Sequence, residues 1–231
     1  MNADLLADKE KLPAKKDIVK FRNKIVRWFN RNERKYPWRE TSDPFRILIA
    51  EMMLQRTKAD QVVDVYNKFF SEFSDPNDVA RTNLKNIHKI LYPLGLLWRV
   101  KNFKKVCRYL VKNFDGRIPK KREDLIKMPG TGDYVSGMVL SVAFNKPEWA
   151  VDSNIVRIFK RYFGISTTKE GRRDRDIIGI AKKYASCNNP KKANLGIVDF
   201  TALICSPRNP KCEKCPLQKK CYNYSKIQQT H

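Results

Sequence analysis

The chain has 231 residues, of which 42% are hydrophobic, so it can bury a sizeable core as one domain or two small ones. Its 48 Lys and Arg residues outnumber 24 Asp and Glu residues, and the formal net charge of +24 favours a polyanionic partner bound through phosphates. A basic membrane-surface protein is the competing interpretation, but the positive charge is spread along the chain, without a cluster beside an amphipathic anchor. With no apolar stretch of transmembrane length and a charged N-terminus, we expect a soluble intracellular protein with no membrane partner and no signal peptide.

Hydrophobic periodicity predicts helices along the chain, and no segment alternates convincingly as a strand does. The first helix is expected from Asp17, and Ser42-Asp43-Pro44 carries the start signals of the next one. Residues 47–54 are apolar on every face except at Glu51, which predicts a helix in a domain centre that carries a buried acid. Further helices are predicted around 62–70, 84–91, 97–114, 135–144, 155–162, 172–184 and 192–204, with a turn at 74–76. The predicted class is all-α.

A Pro-Gly-x-Gly turn separates a short charged helical pattern from an almost continuously apolar one. Glycine permits positive φ and leaves backbone N–H groups open to an anion, and the next helix begins there with its positive dipole end. The sequence therefore suggests a phosphate site made by Pro129, Gly130, Thr131 and Gly132. Taken alone, this motif favours an ordinary helix–helix turn.

Four of the six cysteines fall within seventeen residues with the spacing C-x6-C-x2-C-x5-C: Cys205, Cys212, Cys215 and Cys221. Disulfides are not expected inside the cell, and a zinc site more typically shows two close C-x2-C pairs. One close pair between two single cysteines, in a proline-containing loop, suits a [4Fe–4S] cluster in which each iron takes one thiolate. Zinc is the main alternative. With only two histidines in the chain, His-based catalysis is disfavoured.

The cysteine loop is also strongly basic. It carries one acid, Glu213, against five cations: Arg208, Lys211, Lys214, Lys219 and Lys220. A folded loop would hold these charges on one exposed surface, so we predict that they bind DNA phosphates. A loop that is merely solvated is the alternative.

Together these motifs resemble those of the helix-hairpin-helix DNA glycosylases of the endonuclease III and MutY type. The shared features are the hairpin at 128–132, an Asp eighteen residues after Tyr134, and the cysteine spacing, in the same order. The resemblance runs from about Trp28 to Cys221. It implies a six-helix barrel domain over 38–146, with the hairpin motif at about 121–145. A cluster domain would combine 1–37 with 147–231 and hold the iron–sulfur loop at 205–221.

The family also implies roles for single residues. Asp152 matches the catalytic aspartate, which stabilises positive charge on the sugar and helps to activate water; a plain helix N-cap is the alternative. Tyr134 stands where members that also cut the strand carry lysine. Tyrosine cannot form the Schiff base that this cutting needs, so we predict a monofunctional enzyme with little or no lyase activity.

The segment Glu51-Met52-Met53-Leu54-Gln55-Arg56-Thr57 is similar to the MutY pattern E-x-x-L-Q-Q-T. The resemblance implies that Glu51 protonates the departing base, and burial would raise the pKa of its carboxyl group as an acid requires. A structural acid is the alternative. Gln55 and Arg56 are predicted DNA contacts, with Arg56 at the position where MutY has a second Gln that enters the base stack.

Two positions bear on which base is removed. MutY proteins typically carry Asn-Gln where this chain has Asn194-Leu195, and they usually continue into a second domain, whereas this sequence runs ten residues past Cys221. Tyr134, Leu195 and Ala59 together resemble archaeal thymine/uracil mismatch glycosylases. We therefore predict removal of T or U opposite G by base flipping.

Alternatives come from the same class and from others. A MutY-like adenine glycosylase acting opposite G or 8-oxoguanine is the nearest. A DNA-binding module without catalysis and a zinc-stapled binding protein are the others. The expected partner is double-stranded DNA with a mispaired base, the expected location is the cytoplasm or nucleoid, and the expected state is a monomer.

Overall fold

The computed structural model describes residues 12–95, 97–167 and 170–229, and within these ranges it is helical with no strand. The predicted all-α class is confirmed. The α-helices are α1 Lys15–Asn32, α2 Pro44–Met53, α3 Ala59–Glu72, α4 Pro76–Arg81, α5 Leu84–Leu91, α6 Leu97–Phe114, α7 Arg122–Ile126, α8 Asp133–Phe144, α9 Ser153–Phe163, α10 Arg175–Ala185, α11 Pro190–Leu203 and α12 Tyr222–Gln229. No helix of the described part is long and apolar enough to cross a membrane.

Two helices were not predicted from the sequence. The segment Ser74-Asp75-Pro76, predicted as a turn, leads directly into α4, whose N-terminus is closed by a reciprocal capping box between Asp75 and Asp78. Helix α12 follows the last cysteine of the basic loop. Both are short, six and eight residues, so neither gives a long hydrophobic period.

The chain forms two compact units. The first is made by the described residues of 1–33, 151–187 and 195–231, and the second by 34–150 and 188–194. Both terminal segments assigned from the sequence include residues outside the described part, 1–11 and 230–231. The roles given to the segments stay predictions.

The first unit is built around aromatic side chains from three helices. Phe21 of α1 is fully buried, and its ring contacts Phe159 and Tyr162 of α9 and Tyr184 of α10. Fully burying such a ring contributes about 1.5–3 kcal/mol, so α1 is fastened to the C-terminal third by this cluster. Trp28 makes a second contact of this kind, edge-on to Phe200 of α11.

The second unit is organised around α2 and α8. Both helices are apolar on nearly every face, and they pack against each other as central elements do. Helices α4 and α5 pack against α6. In α8, a Cβ added at Gly137 would lie 1.9 Å from the backbone oxygen of Trp149, so only glycine allows this close approach.

Candidate functional site

Asp152 begins α9 as its N-cap. Its Oδ1 accepts hydrogen bonds from the backbone N–H groups of Asn154 at 2.9 Å and Ile155 at 2.8 Å, and its Oδ2 accepts from the Asn154 side chain at 2.7 Å. The residue is part-exposed. Three donors therefore fix the orientation of a carboxylate that solvent or substrate can still reach. The capping role is confirmed, and it leaves the catalytic role open.

A polar chain runs from Asp152 to the cysteine loop. Asn154 Oδ1 accepts from Arg157 Nη1 at 2.7 Å, and Arg157 also donates to the backbone oxygen of Cys205, from Nη2 at 2.9 Å and from Nε at 3.1 Å. Burial lowers the pKa of Arg157, while Cys205 and Asp152 oppose this shift. The predicted catalytic aspartate and the first cysteine are thus connected through α9. No feature of the sequence distinguishes Arg157 from the many surface cations of the chain.

Arg161, one turn further along α9, holds the start of the same loop. Its guanidinium donates to the backbone oxygens of Ser206 at 2.6 Å and Pro207 at 2.8 Å and lies 3.6 Å from Cys205 Sγ. Cys221 Sγ in turn donates to the Arg161 backbone oxygen at 3.3 Å. Both ends of the cysteine loop are therefore attached to a single residue.

The four thiols of the loop lie within electrostatic reach of one another. Burial raises the pKa of Cys215 to about 11; the Leu217 amide opposes this, and the charges of Cys221, Cys205 and Cys212 add to it. Burial also raises the pKa of Cys212, and the charges of Cys221 and Cys205 add to this shift. Burial raises the pKa of Cys221 as well; the backbone amides of Tyr224 and Asn223 oppose this, and the charge of Cys205 adds to it. Even so, among the residues that the structure describes, no group of three or more His, Cys, Asp or Glu side chains is arranged to hold a metal ion.

All five predicted basic contacts of the loop are exposed, as is the single acid Glu213. The loop itself is braced from inside: Leu217 is 2% exposed, and Lys24 of α1 donates to the Pro216 backbone oxygen at 3.3 Å. Exposed cations on a loop attached to the protein in this way are suited to phosphate contacts. Binding of DNA by Arg208, Lys211, Lys214, Lys219 and Lys220 stays a prediction.

The hairpin in the second unit has the expected backbone. Gly130 adopts a φ of +82°, and Gly132 is the N-cap of α8 without a side chain to cap it, so the first N–H groups of the helix face outward. Thr131 lies between them, and its hydroxyl donates back to Met128 O at 2.8 Å. Pro129 is part-exposed, as is Tyr134 in the first turn of α8.

Arg122 of α7 connects the residue that follows the hairpin to residues 148–149. It forms ion pairs with Asp133 at 3.3 Å and Glu148 at 2.7 Å, and its guanidinium stacks over the Trp149 ring at 4.2 Å. The side chain is 11% exposed, against 56% for Asp133. One largely buried cation thus joins the start of α8 to the segment that precedes Asp152. Sequence reasoning missed this residue too.

Glu51 lies in α2 and is 5% exposed, as predicted for an acid in a domain centre. The turn that follows α2 carries Gln55, which is part-exposed, and Arg56, which is exposed and has a φ of +62°. A left-handed conformation is uncommon for arginine, so neighbouring contacts must hold this turn. Ala59 begins α3.

Leu195 of α11 is 4% exposed, and a leucine side chain has no amide group. Its neighbour Asn194 is 2% exposed, and its side chain donates to the Glu148 backbone oxygen at 2.9 Å. Asn194 therefore has a structural contact of its own, on the same segment that Arg122 holds. A specificity role for Leu195 and Ala59 stays a prediction.

Comparison with known families now adds an independent observation. Residues 49–183 match the model of the HhH-GPD superfamily of base excision DNA repair proteins. The chain belongs to this superfamily. The matched range holds Glu51, the hairpin, Tyr134 and Asp152, so the resemblance stated from the motifs is confirmed.

Similar members of the superfamily include two archaeal enzymes. The thymine/uracil-DNA glycosylase of Methanothermobacter thermautotrophicus is 36% identical over 207 residues, 89% of this chain and 94% of that protein. The thymine/uracil-DNA glycosylase of Pyrobaculum aerophilum is 35% identical over 221 residues, 93% of this chain and 96% of that protein. An adenine DNA glycosylase of Buchnera aphidicola (from Schizaphis graminum) is 31% identical, and the match spans 60% of its length.

Solved structures agree with the fold. The structure of a thermostable thymine-DNA glycosylase aligns with a TM-score of 0.84 and 35% identity, and covers 91% of this chain and 98% of its own. An endonuclease III–DNA complex aligns with a TM-score of 0.79 at 23% identity, covering 94% and 100%, which shows a shared fold. The glycosylase fold expected from the hairpin and the helical pattern is therefore confirmed.

Proposed function

We propose that the protein is a monofunctional DNA glycosylase that removes thymine or uracil mispaired with guanine. The observation that carries this proposal is the 35–36% identity to two thymine/uracil-DNA glycosylases, over almost the full length of this chain and of each relative. Tyr134 and Leu195 supply the chemical reasons, one for the reaction type and one for the base. Double-stranded DNA with the mispair is the partner, and the enzyme acts as a monomer in the cytoplasm or at the nucleoid.

The reaction breaks a bond whose cleavage places positive charge on the sugar. Asp152 offers a carboxylate held by three donors, so it is preorganised to stabilise that charge and to orient water. The target nucleotide must first leave the duplex, because its glycosidic bond is inaccessible inside the stack. Glu51, buried in α2, is the proposed acid that protonates the departing base.

The proposed cofactor is a [4Fe–4S] cluster held by Cys205, Cys212, Cys215 and Cys221. Such a cluster takes one thiolate per iron, and the charges of Cys221, Cys205 and Cys212 all act on the Cys215 thiol. Backbone amides of Leu217, Asn223 and Tyr224 are directed at the sulfurs of Cys215 and Cys221, as thiolate ligands require. When bound, the cluster would fix the basic loop. Iron without zinc in brown purified protein supports it; zinc without iron contradicts it.

A second aspartate that caps a helix provides the control for testing the catalytic role of Asp152. Asp174 caps α10 as Asp152 caps α9, by accepting from two backbone N–H groups, and asparagine caps a helix about as well as aspartate. We expect Asp152→Asn to lower single-turnover thymine release from a T/G duplex by at least about 100-fold, the scale of one lost electrostatic or acid–base contribution. Asp174→Asn is expected to leave the rate unchanged. Equal rates of thymine release by Asp152→Asn and wild type would contradict the catalytic role of Asp152, and no release by either protein would favour a DNA-binding module.

Adenine removal is the second candidate. Buried Glu51 in the E-x-x-L-Q pattern and the 31% identity to an adenine glycosylase favour it. Leu195 weighs against it, because a leucine offers no hydrogen bond to a purine edge.

A further inference from the structure

Arg99 of α6 is a buried cation, 3% exposed. An arginine that is this buried needs hydrogen-bond acceptors for its N–H groups. Its guanidinium binds Gln55 at two points. Nη1 donates to Gln55 Oε1 at 3.2 Å, and Nη2 donates to the Gln55 backbone oxygen. The planar fork of arginine matches two oxygens in this way, whereas the ammonium of lysine is a point donor.

The other end of the Gln55 amide reaches the hairpin. Its Nε2 donates to the Gly130 backbone oxygen at 3.1 Å, so the amide has a protein partner at both ends. Gly130 also packs against Asn102 of α6, where a Cβ added to the glycine would lie 3.0 Å from Asn102 Cβ. Because Arg99 and Asn102 are three residues apart, one face of α6 supports both the turn and the hairpin.

The contact with Arg99 also bears on Arg56. This residue is exposed and has a φ of +62°, a left-handed conformation that is uncommon for arginine and needs support from neighbouring contacts. Burial lowers the pKa of Arg99, and the nearby charge of Arg56 lowers it further. The exposed positive charge of Arg56 therefore lies close enough to the buried charge of Arg99 to influence it.

We propose that Arg99 is a positioning residue that acts through Gln55 to lock the turn at 54–57 to the hairpin at 129–132. We call this contact chain, Arg99–Gln55–Gly130, the latch. It assigns Gln55 to the protein side of the interface, leaving Arg56 as the residue of this turn that meets DNA. Two loops fixed before binding lose little conformational entropy when DNA arrives, so the latch would sharpen recognition of the mispair. The functional part of this inference rests on the proposed glycosylase activity.

The latch itself is tested without DNA, by hydrogen exchange of the backbone amides in 54–58 and 129–133. Arg99→Lys keeps the charge and loses the fork; Gln55→Leu breaks the same chain from the solvent side, should Arg99→Lys fail to fold. The matched control is Arg108→Lys, the same change at an exposed site of α6. We expect both latch variants to speed exchange in both segments by about tenfold, the scale of one lost hydrogen bond, and the control to change neither. Faster exchange in the turn alone, or in neither segment, overturns the latch.

The functional role is tested by the single-turnover rate at T/G divided by that at T/A. We expect Arg99→Lys to lower this ratio about tenfold, again the scale of one hydrogen bond, with the active fraction retained. A merely structural fault would lower the active fraction on both duplexes and leave the ratio unchanged. The double variant should lose no more than either single variant, because both break one link; additive losses would refute the role. If wild type released no thymine at all, the proposed function would fail while the exchange result stood.

Discussion

At the scale of single residues, Asp152 is both the N-cap of α9 and the proposed catalytic carboxylate, two roles that the sequence could not separate. It caps α9 through Oδ1, and Oδ2 is oriented by the Asn154 side chain. An N-cap is placed by the helix it begins, so the carboxylate inherits the rigidity of α9. That rigidity extends to the cysteine loop, because Arg157 joins Asn154 to the Cys205 backbone. A carboxylate tied into the fold in this way loses little orientation during catalysis.

Tyr134 gives a prediction about reaction type. A phenol cannot form an imine with the sugar, so borohydride should trap no covalent complex between wild-type protein and T/G DNA. The measurement is gel electrophoresis after borohydride treatment. Abasic sites formed by the enzyme should break only when alkali is added. Trapping as efficient as that of a lysine-bearing relative would contradict this account.

Asp133 gives a second residue-scale prediction. Its carboxylate is more than half exposed in the first turn of α8, beside the N–H groups proposed to bind phosphate, and Arg122 offsets only part of its charge. We expect Asp133→Asn to tighten DNA binding a few-fold at low salt, consistent with about 1 kcal/mol or less for an exposed charge. Fluorescence anisotropy across a salt series measures this. Asp176→Asn removes the corresponding first-turn charge of α10 and should have no such effect; weaker binding by Asp133→Asn would contradict the phosphate site.

At the scale of elements, the close approach of α8 to the segment before Asp152 depends on one glycine. Gly137→Ala would push a methyl group into the Trp149 backbone oxygen, which itself lies next to the Arg122 network. We expect a loss of about 1–3 kcal/mol in the free energy of unfolding, as for other overpacked sites. Thermal unfolding followed by circular dichroism measures it.

Gly179 provides the matched control. It lies inside α10 with no atom within 4 Å of an added Cβ, so Gly179→Ala should stabilise the protein by up to about 1 kcal/mol through helix propensity. The two identical substitutions should therefore move the melting temperature in opposite directions. Melting-temperature shifts of the same sign would show that the approach of position 137 to the Trp149 backbone does not require glycine.

The sequence anticipated elements better than contacts. Hydrophobic periodicity is a property of the local sequence and does not depend on the tertiary fold. It predicts the apolar run of α8, the amphipathic α6 and the buried Glu51. The helix α4 was missed because six residues carry too little periodicity. Asp75 and Asp78 have the three-residue spacing of a capping box and could have indicated its start. Arg99, Arg122 and Arg157 were missed for a different reason: each donates to backbone oxygens that come from distant positions in the chain.

At the scale of the whole molecule, each unit contributes a distinct part of the proposed chemistry. The first carries Asp152 and the basic cysteine loop on one helical scaffold, α9. The second carries Glu51, the hairpin and the turn at 54–57, braced by Arg99 and Arg122. A net charge of +24 favours phosphate contacts with DNA of any sequence, so the proposed selection of the mispair would have to come from a few residues at the site.

The measurement that tests the central claim most directly is single-turnover base release on four otherwise identical duplexes. They carry T/G, U/G, A/G and A/8-oxoguanine, and alkali reveals the abasic sites. We expect fast release from T/G and U/G and little from either adenine duplex, because Leu195 offers no hydrogen bond to a purine. Dominant release of adenine would contradict the account and assign this chain the adenine glycosylase activity instead.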